Sequence, residues 1–289
     1  SCQTASCGDG FVHADVESCD DGNNTGDDGC SALCAHEVVQ VVLAADHGCA
    51  LSKLGTLRCW GTSSGVPEVV NEPFDSVAVG HGSGTCAVNA QGVLTCWGKW
   101  SAKSGAEGVA SVVLGNTSIC LLSPQGVATC DLSYNGETPN AFTYAQLTTG
   151  AHVVCGLGHT GTVTCWNGDS FAMNPPDGQF TQISAGQWHV CGLTTDGEVE
   201  CWDEGYVGQY IGASPPGPFT QISAGNDFVC ALDEAKKIVC WGNGTPSNSP
   251  EGTFKSVESG GHSACAVSTE DEVVCWGDNS SGQIDVPPL

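Results

Sequence analysis

The sequence predicts an all-β fold, a seven-bladed β-propeller with one disulfide inside a hairpin of each blade. Three observations lead to this prediction: cysteines at a fixed spacing, a glycine in the turn between them, and a tryptophan after the second cysteine. The spacing is ten residues in each of seven copies, which indicates a tandem repeat. The predicted pairs are Cys49 and Cys59, Cys86 and Cys96, Cys120 and Cys130, Cys155 and Cys165, Cys191 and Cys201, Cys230 and Cys240, and Cys265 and Cys275.

The spacing itself predicts that the paired cysteines meet. If Cys191 and Cys201 face each other across two antiparallel strands, residues 195–197 form a three-residue loop. Such a loop favours a left-handed residue at its third position, usually Gly. Five copies have Gly there, and the other two have Lys236 and Asp271. Because opposed strand residues lie about 4.5–5.5 Å apart at Cα, a disulfide can join them.

Side chains alternate between the two faces of a strand. In the same hairpin, Leu193 therefore shares a face with the disulfide, whereas Trp202 points to the opposite face. Each sheet is then apolar on both faces and has to be covered on both. We expect seven sheets to stack into a closed ring, each Trp packing against the disulfide of the next sheet. The third copy has Asp131 in place of the Trp, which predicts a less well packed interface there.

A further strand precedes each hairpin and is predicted to line the centre of the ring. It starts with an aromatic or aliphatic residue and usually ends with Gly, as in residues 180–186. With this strand included, the propeller is expected to span residues 38–289. The predicted blades lie near residues 38–73, 74–108, 109–143, 144–179, 180–218, 219–253 and 254–289.

Composition limits the classes of function. The chain has 289 residues, and its 7 basic and 32 acidic side chains give a net charge of −25, which excludes nucleic acid and anionic membranes as partners. Nineteen cysteines in a regular pattern predict an oxidising compartment, so we expect a secreted or cell-surface protein. No apolar run approaches the roughly 20 residues of a membrane span. Ser1 is expected to begin a processed form.

Residues 1–37 are predicted to form a separate, acidic, cysteine-rich extension. They contain few aliphatic residues, so disulfides, ions or docking must hold them. Their five cysteines are an odd number, which leaves the pairing open and allows an intermolecular bond. These cysteines are Cys2, Cys7, Cys19, Cys30 and Cys34. Oxygen ligands suit calcium, and the alternative is an acidic spacer without metal. The candidate calcium ligands are Asp20, Asp21, Asn23, Asp27 and Asp28.

Two resemblances to known families rest on these motifs. The string from Gly225 through Cys230-Ala231-Leu232 to Cys240-Trp241-Gly242 resembles the regulator of chromosome condensation repeat. Residues 282–287 resemble its bacterial branch, which includes propeller-type β-lactamase inhibitor proteins. This resemblance covers residues 38–289 and implies a seven-bladed propeller, whereas functions within the family differ widely. The extension, with its CGDG, CDDGN and GDDGC strings, resembles a cysteine-rich repeat of bacterial surface and secreted proteins.

No motif predicts catalysis. The chain lacks a metal-binding His or Cys motif, a Gly-x-Ser-x-Gly elbow and a phosphate-cradling loop, so we expect a non-enzymatic protein without a cofactor other than the candidate calcium. His47, His152, His189 and His262 are expected in turns after the first strands of their blades. There they would serve as hydrogen-bonded turn residues, and a zinc or copper site is the less favoured alternative.

The strand directions define two faces of the ring. The turn face carries the turns after the first strands and the starts of the linkers between blades, and the loop face carries the three-residue loops. Aromatic residues that break the repeat on the turn face suit interface anchors or sugar stacking, unless they pack under their own loops. The predicted binding face comprises Trp100, Trp188, His189, Tyr206, Tyr210, Asp227, Phe228 and His262.

These features favour a secreted, non-enzymatic interaction scaffold at or outside the bacterial cell surface. The extension would allow self-assembly, because head-to-tail docking on a neighbouring subunit gives rings or open filaments. The expected partner is a protein or a neighbouring copy of the chain, without nucleic acid or membrane insertion. Two alternatives remain: a calcium-dependent glycan-binding module, and a protein inhibitor of another secreted enzyme.

Overall fold

A computed structural model gives the fold and describes residues 19–20, 22, 30, 37–62, 69–70, 72–80, 84–132, 142–151, 153–166, 174–203, 211–246 and 248–287. These residues form seven antiparallel sheets, each built from strands that follow one another in the chain. Each sheet packs against the sheets before and after it, the seventh against the first, so the fold is the predicted seven-bladed propeller. No helix in the described ranges has the length and apolar character needed to cross a membrane.

The blades have the following strands. Blade 1 contains β1 (Val38–Leu43), β2 (His47–Ser52), β3 (Leu57–Gly61) and β4 (Val69–Val70), and blade 2 contains β5 (Phe74–Gly80), β6 (Gly84–Asn89) and β7 (Leu94–Gly98). Blade 3 contains β8 (Ser111–Leu114), β9 (Ser118–Leu122) and β10 (Ala128–Leu132), and blade 4 contains β11 (Tyr144–Thr149), β12 (Val154–Gly158) and β13 (Val163–Trp166). Blade 5 contains β14 (Phe180–Ala185), β15 (Val190–Thr194) and β16 (Val199–Trp202), and blade 6 contains β17 (Phe219–Ala224), β18 (Phe228–Asp233) and β19 (Ile238–Gly242). Blade 7 contains β20 (Phe254–Gly260), β21 (Ser263–Ser268) and β22 (Val273–Gly277), and a 3₁₀ helix covers Ser101–Lys103.

A disulfide closes the hairpin of each blade, as the spacing predicts. Cys191 lies opposite Cys201 in the β15–β16 register and is bonded to it, and the other six blades repeat this arrangement. The Cα atoms of each pair lie 4.0–4.1 Å apart. This is closer than the about 4.5 Å of an unbridged pair, because the covalent bridge draws the strands together. The first cysteine of every pair is fully buried, so the disulfides belong to the core.

The third residue of every hairpin loop adopts the predicted left-handed conformation. Gly197 has a φ of 81°, and the two residues that replace Gly in other blades, Lys236 and Asp271, have φ values of 61° and 67°. The N–H of Gly197 also donates to the carbonyl of Thr194 at 3.1 Å, which closes the loop. Loop geometry therefore overrides the side-chain preference at positions 236 and 271.

The tryptophans pack in the opposite direction to the one predicted. Trp202 of blade 5 lies in one apolar cluster with Cys155 and Cys165 of blade 4, so each Trp contacts the disulfide of the preceding blade, not of the next. Strand alternation shows that the Trp and the disulfide occupy opposite faces, but it does not say which neighbour each face meets. Phe180, at the start of the same blade, lies 5.7 Å from Trp202 between ring centroids and extends this contact.

The interface between blades 2 and 3 is filled differently because Asp131 replaces the repeat Trp. Trp100, from the linker after blade 2, is half-buried in the apolar cluster of these two blades. The carboxylate of Asp131 forms an ion pair with the ammonium of Lys103 at 2.6 Å, in the 3₁₀ helix that follows Trp100. Trp100 thus packs where a repeat Trp is missing, and because it is half-buried its assignment to the binding face stays a prediction.

The chain after β22 closes the ring between blades 7 and 1. Gln283 is fully buried, and its carbonyl accepts the indole N–H of Trp60 at 2.8 Å. Val286 joins the cluster that contains Trp60 and the blade 7 cysteine Cys265. Side-chain packing and this segment thus join the first and last blades. Among the described residues, no sheet contains strands from both ends of the chain.

A β-bulge interrupts the pairing of the first two strands in six blades. In blade 5 the extra residue is Thr181, which is exposed, and it allows both Phe180 and Ile183 to enter the interface with blade 4. The bulge also directs Gln182 towards blade 6. This bulge was not predicted from the sequence.

Glutamine side chains link neighbouring first strands at four of the seven interfaces. The amide of Gln182 donates to the carbonyl of Ile222 at 3.0 Å and accepts the N–H of Ile222 at 2.8 Å. The same paired hydrogen bonds join Gln40 to Val77, Gln146 to Ile183 and Gln221 to Val257. The other blades have Ser76, Ser111 and Ser256 at this position, and the Ser76 hydroxyl is buried without a hydrogen-bond partner in the described structure.

We expect Gln182→Ala to lower the free energy of unfolding by about 2 kcal/mol, because it leaves a partly buried N–H and carbonyl unpaired. Conversely, Ser76→Gln should raise it by about 1 kcal/mol by adding the missing link to blade 3. Urea denaturation measures both changes. The control is Gln179→Ala, the same substitution at an exposed position of the same blade. Equal effects of Gln182→Ala and Gln179→Ala would contradict the prediction.

Glycines at the ends of the first strands allow the blades to approach main chain to main chain. A Cβ atom on Gly150 would lie 2.5 Å from the carbonyl oxygen of Gly186, and one on Gly115 would lie 2.8 Å from that of Gly150. Non-bonded carbon and oxygen atoms do not approach this closely without displacement of the backbone. Glycine is therefore required here by the contact between blades, and not by a turn.

Candidate functional site

Main-chain hydrogen bonds join neighbouring described segments of the turn face. The N–H of Asn226 donates to the carbonyl of Gly261 at 2.9 Å, which joins the turns of blades 6 and 7. The N–H of Asp278 donates to the carbonyl of His262 at 3.2 Å, which attaches the start of the last linker to the blade 7 turn. The turns of blades 6 and 7 and the start of the last linker therefore lie on one face.

The predicted binding-face residues differ in how accessible they are. Trp188 has 52% of its surface exposed, His262 is also exposed, and Asp227 is half-buried. By contrast, His189 and Phe228 are 3% and 0% exposed and cannot contact a partner, so their assignment to the binding face is wrong. The predicted residues Tyr206 and Tyr210 lie outside the described residues, as does His152.

Glycines explain why the two rings are buried. A Cβ atom on Gly225 would overlap the ring of Phe228, and one on Gly186 would overlap the ring of His189. Each ring folds back into the space that the glycine three residues earlier leaves open. The pattern Gly-x-x-aromatic is the signal in the sequence that predicts a buried ring at this position.

His189 is held in an apolar environment and stays neutral. Burial lowers the pKa of His189 to about 4, and its Nε2 has no hydrogen-bond partner within the described residues. In blade 1 the equivalent His47 contacts the Thr85 hydroxyl of the next blade, whereas blade 6 has Val229 at the position of Thr85. His189 therefore contributes packing without the hydrogen bond between blades.

Asp46, His47 and Thr85 resemble a hydrolase triad in their connectivity. His47 Nδ1 lies 2.7 Å from Asp46 Oδ1, and His47 Nε2 lies 2.9 Å from Thr85 Oγ1. A nucleophile must be accessible to its substrate, but His47 and Thr85 are both 0% exposed. The arrangement is a buried hydrogen-bond chain that joins blades 1 and 2, and it does not form an active site.

The His262 neighbourhood combines polar groups on the turn face. His262 Nε2 lies 3.3 Å from Asn226 Nδ2. A hydrogen bond from the Ser280 hydroxyl holds the pKa of Asp278 below its usual value, and the nearby His262 acts in the same direction more weakly. Within the described ranges, no group of three or more His, Cys, Asp or Glu side chains is placed to hold a metal ion.

Little of the extension lies within the described residues. Cys19 and Cys30 form a disulfide, and the carboxylate of Asp20 accepts the N–H of Gly22 at 2.7 Å. The remaining candidate calcium ligands, Asp21, Asn23, Asp27 and Asp28, and the cysteines Cys2, Cys7 and Cys34 lie outside the described residues. The calcium site and the pairing of these three cysteines remain predictions.

The loop face exposes apolar residues that the sequence analysis did not single out. Within the described residues, five large hydrophobic side chains are strongly exposed, and only Trp188 lies on the turn face. The other four lie at the loop-face ends of their blades. These residues are Val39, Leu54, Val127 and Phe142. Hairpin loops and strand starts give no periodic pattern, so burial at these positions cannot be read from the sequence.

The first strands of the blades enclose a partly open central channel with a cavity of about 320 Å³. One position near the end of each first strand lines this channel, and its character changes around the ring. Blades 1 to 3 have Val42, Ala78 and Val113, and blades 4 to 7 have Thr148, Ser184, Ser223 and Glu258. At this position the channel therefore has an apolar wall in blades 1 to 3 and a polar wall in blades 4 to 7, and Gln40 of blade 1 adds an amide to the lining. Glu258 is the one titratable residue among those that line it.

The carboxyl group of Glu258 has an unusual environment. Its Oε2 accepts a hydrogen bond from the Ser223 hydroxyl at 2.7 Å. Burial among the first strands raises the pKa of Glu258 to about 7, and the hydrogen bond from Ser223 offsets part of this rise. One side of the residue still faces the channel. The folded protein therefore retains this proton at pH values where the unfolded chain, with a pKa near 4.5, has lost it.

We expect the free energy of unfolding to fall by about 1–3 kcal/mol as the pH rises from about 4.5 to about 7, because the folded state binds more protons in this range. Glu258→Gln should remove this part of the pH dependence. Urea denaturation at several pH values measures it, with Glu270→Gln, an exposed acid of the same blade, as the control. A pH dependence that is unchanged in Glu258→Gln would contradict the prediction.

Comparison with protein families gives a result that agrees with this geometry. The family described as the Regulator of chromosome condensation (RCC1) repeat matches residues 180–202, 219–245 and 254–283. Over these residues, blades 5 to 7 are similar to RCC1 repeats. The matched segments contain the first strand, the hairpin and the Trp of each of these blades. A search of curated proteins finds no match to the chain.

Solved structures confirm the propeller fold. The CRINKLY WD40 ectodomain of the Arabidopsis thaliana receptor kinase ACR4 is 23% identical, with a TM-score of 0.71, and the alignment covers 88% of this chain and 99% of that one. The ectodomain of the Physcomitrella patens receptor kinase CR4 is 24% identical, with a TM-score of 0.72 and coverages of 84% and 73%. Prp20p from Saccharomyces cerevisiae, studied for its binding to Gsp1p and histones, is 16% identical, with a TM-score of 0.54 and coverages of 89% and 75%.

Proposed function

We propose that this chain is an extracellular, non-enzymatic scaffold that binds other proteins through its turn face. The observation that carries the proposal is Trp188, a large aromatic residue with 52% exposure on a turn between hydrogen-bonded strands. Trp is enriched among the residues that contribute most to protein–protein binding. Asp227 and His262 provide polar groups on the neighbouring turns, which suits the rim of an interface.

The covalent structure supports an extracellular location. Seven buried disulfides persist in an oxidising environment and would be kept reduced in most cytosols. Similarity to the ectodomains of two receptor kinases is consistent with such a location for this fold. The one triad-like arrangement described above, Asp46, His47 and Thr85, is buried and gives no support to catalysis.

A photo-cross-linking residue at position 188 tests the proposal. In the presence of secreted proteins from the source organism, position 188 should give discrete cross-linked products that unlabelled wild-type protein competes away. Trp188→Ala should compete about thirty-fold less well, as expected for an interface anchor. The control places the same photo-cross-linking residue at position 142, because Phe142 has a similar exposure of 57% and lies on the loop face. Equal products from both positions, or no competition, would contradict binding through the turn face.

Self-assembly through the extension is the specific form of this role that the sequence favours. Light scattering after size exclusion, with and without reductant and chelator, tests it. Oligomers that dissociate with reductant would indicate a bond through Cys2 or a neighbouring cysteine, and dissociation with chelator would indicate calcium. A monomer under every condition would exclude self-assembly and leave the scaffold with heterologous partners.

A further inference from the structure

Glu258 departs from the repeat at a position where the fold does not require a charge. The other six blades place an uncharged residue at the equivalent channel position. Ser184 and Ser223 show that a hydroxyl is sufficient to link one first strand to the next, because each accepts an N–H of the following blade, at 2.9 and 2.8 Å. A carboxylate at this place therefore needs an explanation other than the stability of the ring.

The polar wall has hydrogen-bonding capacity that the protein itself does not use. Glu258 Oε1 has no donor among the described residues, and no Lys, Arg or His lines the cavity to neutralise the carboxylate. The carboxylate can accept a hydrogen bond from a bound molecule, and it favours a positively charged one.

The aliphatic residues on the opposite side of the channel favour a ligand that also has an apolar part. Across the channel from the polar residues of blades 4 to 7, the lining includes Ala78 and Val113, which are partly exposed, and Val42, which is largely buried between blades 1 and 2. A cavity of about 320 Å³ lies at the small end of the range for ligand pockets. One carboxylate without further charged ligands is insufficient for a calcium ion, which takes six to eight oxygen ligands. Charge, shape and wall polarity together suit a small molecule with a cationic and an apolar part.

We propose that the central channel binds a small organic ammonium ion, with its ammonium group on Glu258 and its hydrocarbon part against the wall of blades 1 to 3. This site is separate from the turn face, and the proposal does not depend on the proposed scaffold role. The carboxylate forms a charge-assisted hydrogen bond with the ammonium, and the aliphatic wall buries the hydrocarbon. A neutral analogue of the same shape loses the first of these contributions.

Calorimetric titration with 2-phenylethylammonium at about pH 8, where Glu258 is ionised, tests the proposal. The expected result is saturable binding to one site with a dissociation constant below about 10 mM. The neutral analogue 2-phenylethanol should bind at least about tenfold more weakly. Absence of saturable binding, or equal binding of both compounds, would overturn the proposal.

Three variants locate the site. Glu258→Gln and Glu258→Ser should each weaken binding of 2-phenylethylammonium by about tenfold or more, and the Ser variant reproduces the residue that blades 5 and 6 already contain. Glu270→Gln removes the same charge from the surface of the same blade and should leave binding unchanged. Thermal unfolding checks that each variant is folded. Equal affinity in Glu258→Gln and wild type would assign any binding to the acidic surface and overturn the proposal.

Discussion

Gly150→Ala is expected to destabilise the propeller by about 3 kcal/mol or more. The added methyl group would lie 2.5 Å from the carbonyl oxygen of Gly186, so the first strands of blades 4 and 5 would have to move apart. The oxygen belongs to the backbone, so no flexible side chain can move away from the added methyl group. Urea denaturation monitored by tryptophan fluorescence measures the loss.

Gly178→Ala is the matched control. Its added Cβ would lie 3.5 Å from the Phe180 ring, an ordinary van der Waals distance, and Gly178 does not adopt a positive φ. We expect a change within about 0.5 kcal/mol at this exposed position. If the two substitutions had similar effects, the close approach of the first strands would not explain the glycines at their ends.

Trp60→Ala is expected to lower the free energy of unfolding by about 3–5 kcal/mol, because it removes a buried ring from the junction of blades 7 and 1. It also removes the indole N–H that donates to Gln283, so the segment after β22 loses its attachment to blade 1. Chemical denaturation gives the total loss. Hydrogen exchange of residues 278–287 should show faster opening of this segment than in the wild type.

Trp60→Phe separates the two contributions. It retains most of the apolar contact and removes the hydrogen bond, so we expect a smaller loss of about 1–2 kcal/mol with the same faster exchange in residues 278–287. Unchanged exchange in both variants would show that Gln283 does not depend on Trp60 for its position.

The sequence alone was sufficient to predict the blades and their disulfides, because both follow from local rules. The ten-residue spacing from Cys191 to Cys201 sets the strand register, and the register sets the loop. The neighbour of each Trp could not be predicted, since the direction in which the sheets stack is a property of the ring. The bulge at Thr181 was predictable in principle. Phe180 and Ile183 are three residues apart, yet both are apolar, which breaks the alternation of a regular strand.

The candidate site was harder to predict than the fold. Phe228 and His189 interrupt the repeat in the same way as Trp188, and only the space beside Gly225 and Gly186 distinguishes buried rings from an exposed one. Glu258 was not identified from the sequence, because one acidic residue among 32 cannot be distinguished from the others until its position in the channel is known. The roles of residues that depend on neighbours in other blades can be interpreted only once the structure of the closed ring is known.

The way in which the ring is closed also determines how it would respond to mechanical load. Each blade consists of consecutive residues and carries its own covalent cross-link, so tension along the chain could not separate the two outer strands of a blade. A pull on the carboxyl-terminal segment would instead act on the hydrogen bond between Trp60 and Gln283. The junction between the last and first blades is thus where the ring would open under force, while the seven cross-linked hairpins stayed intact.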